Sequence, residues 1–188
     1  MIHFFPSEKY FLLTSDADEI PKARLMYALT HCQLPDSVFS FVLTCDFYYY
    51  SYEFRSRTHE IYYGSTLSLI DGKQRKSLSG NELRNQRSNY VLIRSGCFHC
   101  TWCFNQLKQV RLKMASYSHT EHNQEQYRTR EHILDHYRHG KDLFDRAGEF
   151  YTYLPDNRDY PKLVQSEPDR FLYLTKRYNQ TNAGFIDA

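Results

Sequence analysis

Close to Met1, the apolar run Tyr10-Phe11-Leu12-Leu13-Thr14 leads directly into the acidic stretch Asp16-Ala17-Asp18-Glu19-Ile20-Pro21. A short run rich in aromatics and Leu predicts a buried strand of the parallel type. In open α/β sheets ligands bind just beyond the carboxyl ends of such strands, so the acids fall where chemistry is expected. Asp16 and Asp18, one residue apart, can turn toward a single hard cation. Mg²⁺ or Mn²⁺ held this way completes its shell with phosphate oxygens, which points to diphosphate handling. The plainer reading is a helix cap, but one Asp would serve for that, and here two are joined by Glu19. Pro21 stands where a first helical residue would, and Leu25, Met26, Leu29 and Cys32 follow at helical spacing. The order is therefore strand, acidic turn, helix.

With 188 residues the chain suits one domain burying roughly 70% of its unfolded surface. The expected organisation is a single domain over residues 1–178 and a short tail over 179–188. Lys and Arg number 24 against 22 Asp and Glu, a net charge of +2, which gives no basis for binding nucleic acid or an anionic membrane. Apolar stretches fall far short of the roughly 20 residues a spanning helix needs. The segment Met1 to Leu13 has no positive n-region and runs into acids, so neither a transmembrane segment nor a signal peptide is expected, and the default location is cytoplasmic. Five cysteines, an odd number, exclude a fully paired framework and fit a reducing compartment or one or two bridges. The 17 Tyr and 13 Phe suit sugar faces and sheet packing alike, with packing the ordinary fate of any one ring.

Further along, Val38 to Phe54 has no Gly or Pro and predicts one long strand or a strand pair. Asp71-Gly72 reads as a turn, and Ser79-Gly80-Asn81-Glu82 has the spacing of a capping box opening a short helix through Leu83, Arg84 and Arg87. Asn89 to Ile93 returns to strand. Cys97 to Phe104 reads as extended, with Phe98, Cys100, Trp102 and Phe104 on one face and Cys97, His99, Thr101 and Cys103 on the other. Helices are predicted over 105–115 and over 125–139, the second closed by Gly140, and a last helical stretch over 170–178.

The spacing Cys97-x-x-Cys100-x-x-Cys103 invites a zinc or iron–sulfur reading, but no fourth ligand follows and a strand would turn Cys100 away from the other two. Packed thiols are expected, with a Cys100–Cys103 or Cys97–Cys103 bridge only in an oxidising setting. His132, His136 and His139 recur at helical spacing without the H-E-x-x-H order, which predicts a solvated helix face. His119-Thr120-Glu121-His122-Asn123 lies in a predicted loop after a helix and is a candidate lining for a site.

With these residues in view, the chain resembles glycosyltransferase family 17, the bisecting N-acetylglucosaminyltransferases. Ser15 to Pro21 is similar to the family's acidic metal-binding motif, and Leu78 to Arg87 to a segment of its microbial members. His99-Cys100-Thr101-Trp102-Cys103-Phe104 resembles the family's His-Cys-Ser-Trp-Cys-Phe block. Lys113 to Glu121, Gly140 to Phe144, and Tyr160 through Leu174 follow in the family's order.

The resemblance implies an α/β fold of the GT-A type, a mixed sheet flanked by helices. It also implies inverting, Mn²⁺- or Mg²⁺-assisted transfer of N-acetylglucosamine from a UDP-sugar donor to a mannose-containing glycan or glycoprotein acceptor. Asp16 and Asp18 would be the metal ligands, with His119 completing the shell. Glu121, or else Glu19, would be the general base that takes the acceptor hydroxyl's proton. His99 and Trp102 would contact sugar, with burial on the apolar face the other reading for Trp102, and Arg84 and Arg87 would meet phosphate. Eukaryotic relatives are associated with Golgi membranes. Family members also place several β/α units ahead of the acidic motif, so the chain is expected to be N-terminally truncated, with a sheet edge open to a protein partner or a second chain.

Two other functions compete. A non-catalytic or partner-dependent descendant of the transferases would keep the fold and bind glycan without turnover. A haloacid-dehalogenase-type phosphatase also presents Asp-x-Asp after an apolar strand, with one Asp as nucleophile. That scheme needs a later acidic pair after another apolar strand, which the sequence lacks.

Overall fold

A computed structural model of the chain describes residues 9–32, 40–71, 82, 90–116 and 120–188. In chain order the elements begin with β1 (Lys9–Thr14), β2 (Glu19–Pro21), α1 (Ala23–His31), β3 (Ser40–Tyr49), β4 (Ser51–Ser56), β5 (Tyr62–Asp71) and β6 (Tyr90–Thr101). They continue with α2 (Leu107–Ser116), a 3₁₀ turn (Thr120–His122), α3 (Glu125–Arg128), α4 (Arg130–His139), β7 (Tyr151–Tyr153), α5 (Lys162–Ser166) and α6 (Leu172–Thr175). Strands and helices are thus mixed, as expected of an α/β chain. The chain divides into two compact units, Met1–Asp46 with Ile61–His99, and Phe47–Glu60 with Cys100–Ala188.

In the first unit β1 pairs antiparallel with β5, from Lys9 opposite Asp71 to Thr14 opposite Thr66. β5 pairs antiparallel with β3, and β2 with β6. The strand before the acidic stretch is therefore not of the buried parallel type. Phe11 packs on the core, while Leu13, two residues on toward the acidic turn and on the same face, is 39% exposed, so the core covers only part of that face. Pro21 ends β2, opposite Cys97, instead of opening the helix. A proline holds the residue before it extended, which keeps Ile20 in the strand and leaves Lys22 as the N-cap of α1. The core gathers Leu29, Phe41, Leu43, Cys45, Leu67 and Cys97, with Leu25, Met26 and Ile93 packed against it.

The thiols are not simply packed. Cys45 and Cys97 form a disulfide between β3 and β6, with Cα atoms 4.2 Å apart. Gly64 on β5 makes room for it: a Cβ there would overlap Cys45 Sγ and stand 3.2 Å from Cys97 Sγ. In the second unit Cys100 and Cys103 are also bridged. Alternation along an extended chain would have kept them apart, but β6 stops at Thr101 and Trp102 takes φ 58°, so the chain turns and brings Cys103 back. Cys32 is the one free thiol among the described residues.

The second unit opens with a hairpin. β3 ends at Tyr49, Tyr50 sits at φ 69°, and β4 begins at Ser51, so the apolar stretch is a strand pair. β4 then pairs antiparallel with β7. The helix predicted over 125–139 is two helices, because Thr129 caps the second by accepting from the His132 amide at 3.3 Å. Gly140, at φ 63°, closes it in the left-handed conformation. The last helical stretch is shorter than predicted, four residues of α6. Arg177 follows it, fully buried, and donates to the carbonyls of Tyr173 (3.0 Å), Ala183 (2.7 Å) and Phe104 (2.5 Å), with its guanidinium over the rings of Tyr137 and Phe185. Residues 179–188 belong to this packing: Ala183 and Phe185 are buried, and Asp187 accepts from the Leu107 amide that opens α2. No described helix is long and apolar enough to cross a membrane.

The two disulfides close loops of very different length, 52 and 3 residues. Chain entropy then predicts that Cys45→Ser/Cys97→Ser lowers unfolding free energy by about 4 kcal/mol and Cys100→Ser/Cys103→Ser by about 1–2 kcal/mol, to be measured by urea unfolding.

Candidate functional site

The acidic stretch forms the tight turn between β1 and β2, and reciprocal hydrogen bonds hold it. The Glu19 amide donates to the Asp16 carbonyl at 3.1 Å, and the Asp16 amide donates back to Glu19 Oε2 at 3.1 Å. Ser15 Oγ stands 2.8 Å from the Glu19 carbonyl and 3.0 Å from Ser65 Oγ on β5. Glu19 is buried, with its carboxyl carbon 3.4 Å from where a Gly64 Cβ would stand, beside the Cys45–Cys97 bridge. Its carboxylate therefore fixes the turn from inside, while Asp16 is exposed and Asp18 half-exposed at the rim.

His99 faces this turn from β6, directly opposite Glu19 in the strand register. It is buried against Tyr62, with ring centroids 4.6 Å apart, and its Nδ1 lies 3.7 Å from Asp18 Oδ1. The structure thus brings together Asp16, Asp18, Glu19 and His99, four of the residues singled out in the sequence. Among the described residues, however, the three-residue group whose ligand atoms lie within 4.8 Å of one another is His132, His136 and Asp145, not this set.

Beneath the turn lies a group that the sequence reading missed. Lys22 Nζ is 2.8 Å from Asp46 Oδ2 and 3.0 Å from Ser95 Oγ, and Ser95 Oγ donates to Asp46 Oδ2 at 2.5 Å. Lys22 and Asp46 are both buried, and the ammonium also lies 4.5 Å from the centre of the Phe98 ring. The available signal was Asp46 itself, a carboxylate inside an otherwise apolar strand run, since a buried charge must find a partner.

Trp102 belongs to the second unit and is only 3% exposed, enclosed by Phe104, Phe144 and the Lys113 ammonium, with its carbonyl accepting from Tyr137. Of its two readings, the structure supports burial. Glu121 sits on the 3₁₀ turn of the second unit with its side chain 61% exposed, 3.9 Å from His122 Nε2. Arg84, Arg87 and His119 lie outside the described residues.

The second unit also holds a cavity of about 400 Å³ lined by Lys141, Asp142, Asp145, Arg146, Glu149 and Tyr151. Asp142 is its organising anion. It pairs with Arg146 at 2.6 Å and accepts from the Phe144 amide, the Arg146 amide and the Tyr151 hydroxyl. Burial alone would raise its pKa, but these donors, Arg146 foremost, hold the carboxyl below its ordinary value. Burial and the neighbouring Asp142 carboxylate raise the Tyr151 phenol well above its own.

Comparison with known proteins defines the class first: the chain carries a glycosyltransferase domain. The matching model is that of glycosyltransferase family 17, it covers residues 5–166, and the chain belongs to that family. No curated protein and no solved structure matches it.

Two predictions follow from the buried charges. Asp46→Asn leaves the Lys22 ammonium buried beside a neutral amide and should destabilise the protein by about 3–5 kcal/mol, while Lys22→Met/Asp46→Leu, which removes both charges, should cost clearly less. Equal losses in urea unfolding would contradict that reading. For Asp142, a depressed folded pKa contributes stability that is complete above the unfolded value near about 4 and disappears as pH falls through the folded value. The melting temperature should therefore fall below about pH 4, and less steeply in Asp142→Asn, as a calorimetric pH series would show.

Proposed function

We propose that this chain is a divalent-metal-dependent, inverting glycosyltransferase of the GT-A type, using a UDP-sugar such as UDP-N-acetylglucosamine and a mannose-containing glycan acceptor. The observation that carries the proposal is the Asp16–Glu19 turn within a chain of family 17. Glu19 closes the turn from inside, and Asp16 and Asp18 are the carboxylates at its rim, which we assign to the cation. A divalent ion there would neutralise the charge that develops on the departing nucleoside diphosphate.

The protein's own residues then have distinct tasks. Asp16 and Asp18 hold the cation side of the donor. His99, fixed opposite Glu19 by the strand register, orients Asp18 from behind. The Lys22–Asp46–Ser95 group braces the start of α1, where Lys22 is the N-cap. Inversion further requires a base that can meet the acceptor hydroxyl, and an exposed carboxylate such as Glu121 meets that need better than the enclosed Glu19. Two disulfides suit work in an oxidising compartment, where glycans on secreted proteins are built.

Calorimetric titration with UDP-N-acetylglucosamine, with and without Mn²⁺, tests the assignment. Manganese-dependent binding should appear in the natural sequence and vanish in Asp16→Asn/Asp18→Asn. Binding that ignores manganese, or survives in the double variant, would remove the metal role from these two residues, and no binding under any condition would favour a non-catalytic descendant. If turnover is found, Glu121→Gln should lower kcat by about 10²–10⁴-fold with donor binding unchanged, the loss expected for a missing general base.

A further inference from the structure

The helix α4 and the loop after Gly140 build a second cluster that the proposed transfer does not use. His132 and His136, one helical turn apart, stack their rings at 3.7 Å, and Asp145 reaches them from the loop at φ 52°. One ligand atom from each of the three lies within 4.8 Å of the others. His139, which shares the spacing, is turned away onto the Asp135 carboxylate and takes no part.

The hydrogen bonds define which ring nitrogens hold protons. His132 Nε2 is 2.8 Å from the Leu143 carbonyl, and His136 Nδ1 is 2.7 Å from the His132 carbonyl. A carbonyl only accepts, so both of these nitrogens carry hydrogen, and in the neutral rings the opposite nitrogens present lone pairs. His136 Nε2 then points its lone pair at Asp145 Oδ1 from 2.9 Å. Lone pair against carboxylate is repulsive, and only a cation between them reconciles the geometry. That cation is either a second proton on His136 or a metal ion.

We propose that it is a metal ion, and that His132, His136 and Asp145 form a site for zinc or a similar borderline transition ion. Two imidazoles and one carboxylate are the donors such ions prefer, in contrast to the all-oxygen rim at Asp16 and Asp18. A zinc ion about 2.0–2.2 Å from His nitrogen and carboxylate oxygen sets its tetrahedral ligand atoms roughly 3.3–3.6 Å apart, so the ion would replace the 2.9 Å hydrogen bond between His136 and Asp145, with the exposed Asp145 side chain drawing back by roughly half an ångström. Each imidazole already donates its other N–H to a backbone carbonyl, the arrangement that fixes the tautomer and aims the ligating nitrogen. His136 is buried while the Asp145 side chain is 61% exposed and lines the open pocket beside Asp142 and Arg146, so solvent reaches the three ligands from the side of Asp145. Three protein ligands with an open fourth position is the pattern of a site that binds a further ligand, not of a closed structural one.

The test uses the full chain, cleared of metal, with Co²⁺ as the visible probe and Zn²⁺ as the competitor. One equivalent of Co²⁺ should give d–d absorption that Zn²⁺ abolishes, and Zn²⁺ should raise the melting temperature. His132→Gln and Asp145→Asn should weaken binding by about tenfold or more. His139→Gln and Asp16→Asn/Asp18→Asn should leave it unchanged, which keeps this site separate from the donor assignment. Asp145 is exposed, so its variant should fold, and a retained melting temperature in metal-free buffer verifies that. No binding, or binding of equal strength in Asp145→Asn and His132→Gln, would overturn the proposal and leave a protonated His136 paired with Asp145.

Discussion

The Cys45–Cys97 bridge is the constraint around which the first unit is arranged. It joins two strands that lie 52 residues apart in the chain, and it can do so only because β5 passes it with a glycine. Glu19 rests against the same place, and from there its carboxylate reaches up to hold the Asp16 amide. His99 lies two residues beyond Cys97 on the same strand, so the covalent link that fixes β6 also fixes the imidazole facing Asp18. A disulfide acts chiefly by restricting the unfolded chain. Here its position also sets which side chains can meet.

Each unit contains a buried charge that has been answered in full. In the first, Lys22 meets Asp46 and Ser95; in the second, Glu53 accepts from the amides of Arg177 and Tyr178 while the Arg177 guanidinium is spent on three carbonyls and two aromatic faces. Burial pushes the Arg177 pKa down to about 10, still well above neutral, so the guanidinium stays charged. Such groups add little net stability when complete and cost much when halved. Their effect is on uniqueness: few alternative packings could satisfy so many directed donors at once.

Much of the fold was legible where local chemistry decides it. The extended character of the stretch after Val38, as one strand or a pair, the closure of α4 by Gly140 and the family resemblance carried by Ser15 to Pro21 and His99 to Phe104 were all visible in the residues. Strand direction was not, because an apolar run reports burial and not the orientation of its neighbour. One or two bridges, Cys100–Cys103 among them, were among the readings, but the Cys45–Cys97 pairing was not, for a related reason. Cys45 is remote in sequence from the 97–103 group, and the turn at Trp102 depends on a backbone conformation that Trp rarely adopts. His132 and His136 looked like a solvated face because helical spacing says which residues are neighbours, but not that the loop through Leu143 and Asp145 folds over them.

The family match ends at residue 166, yet Glu53, well inside it, accepts from the Arg177 and Tyr178 amides as well as from Ser51. Asp187 supplies the cap for α2, and Phe185 fills the space beside Tyr137. The span recognisable by descent is therefore shorter than the span that folds. Shortening the gene to the recognisable part would take two amide donors from one buried carboxylate, the cap from one helix and an aromatic ring from the interior.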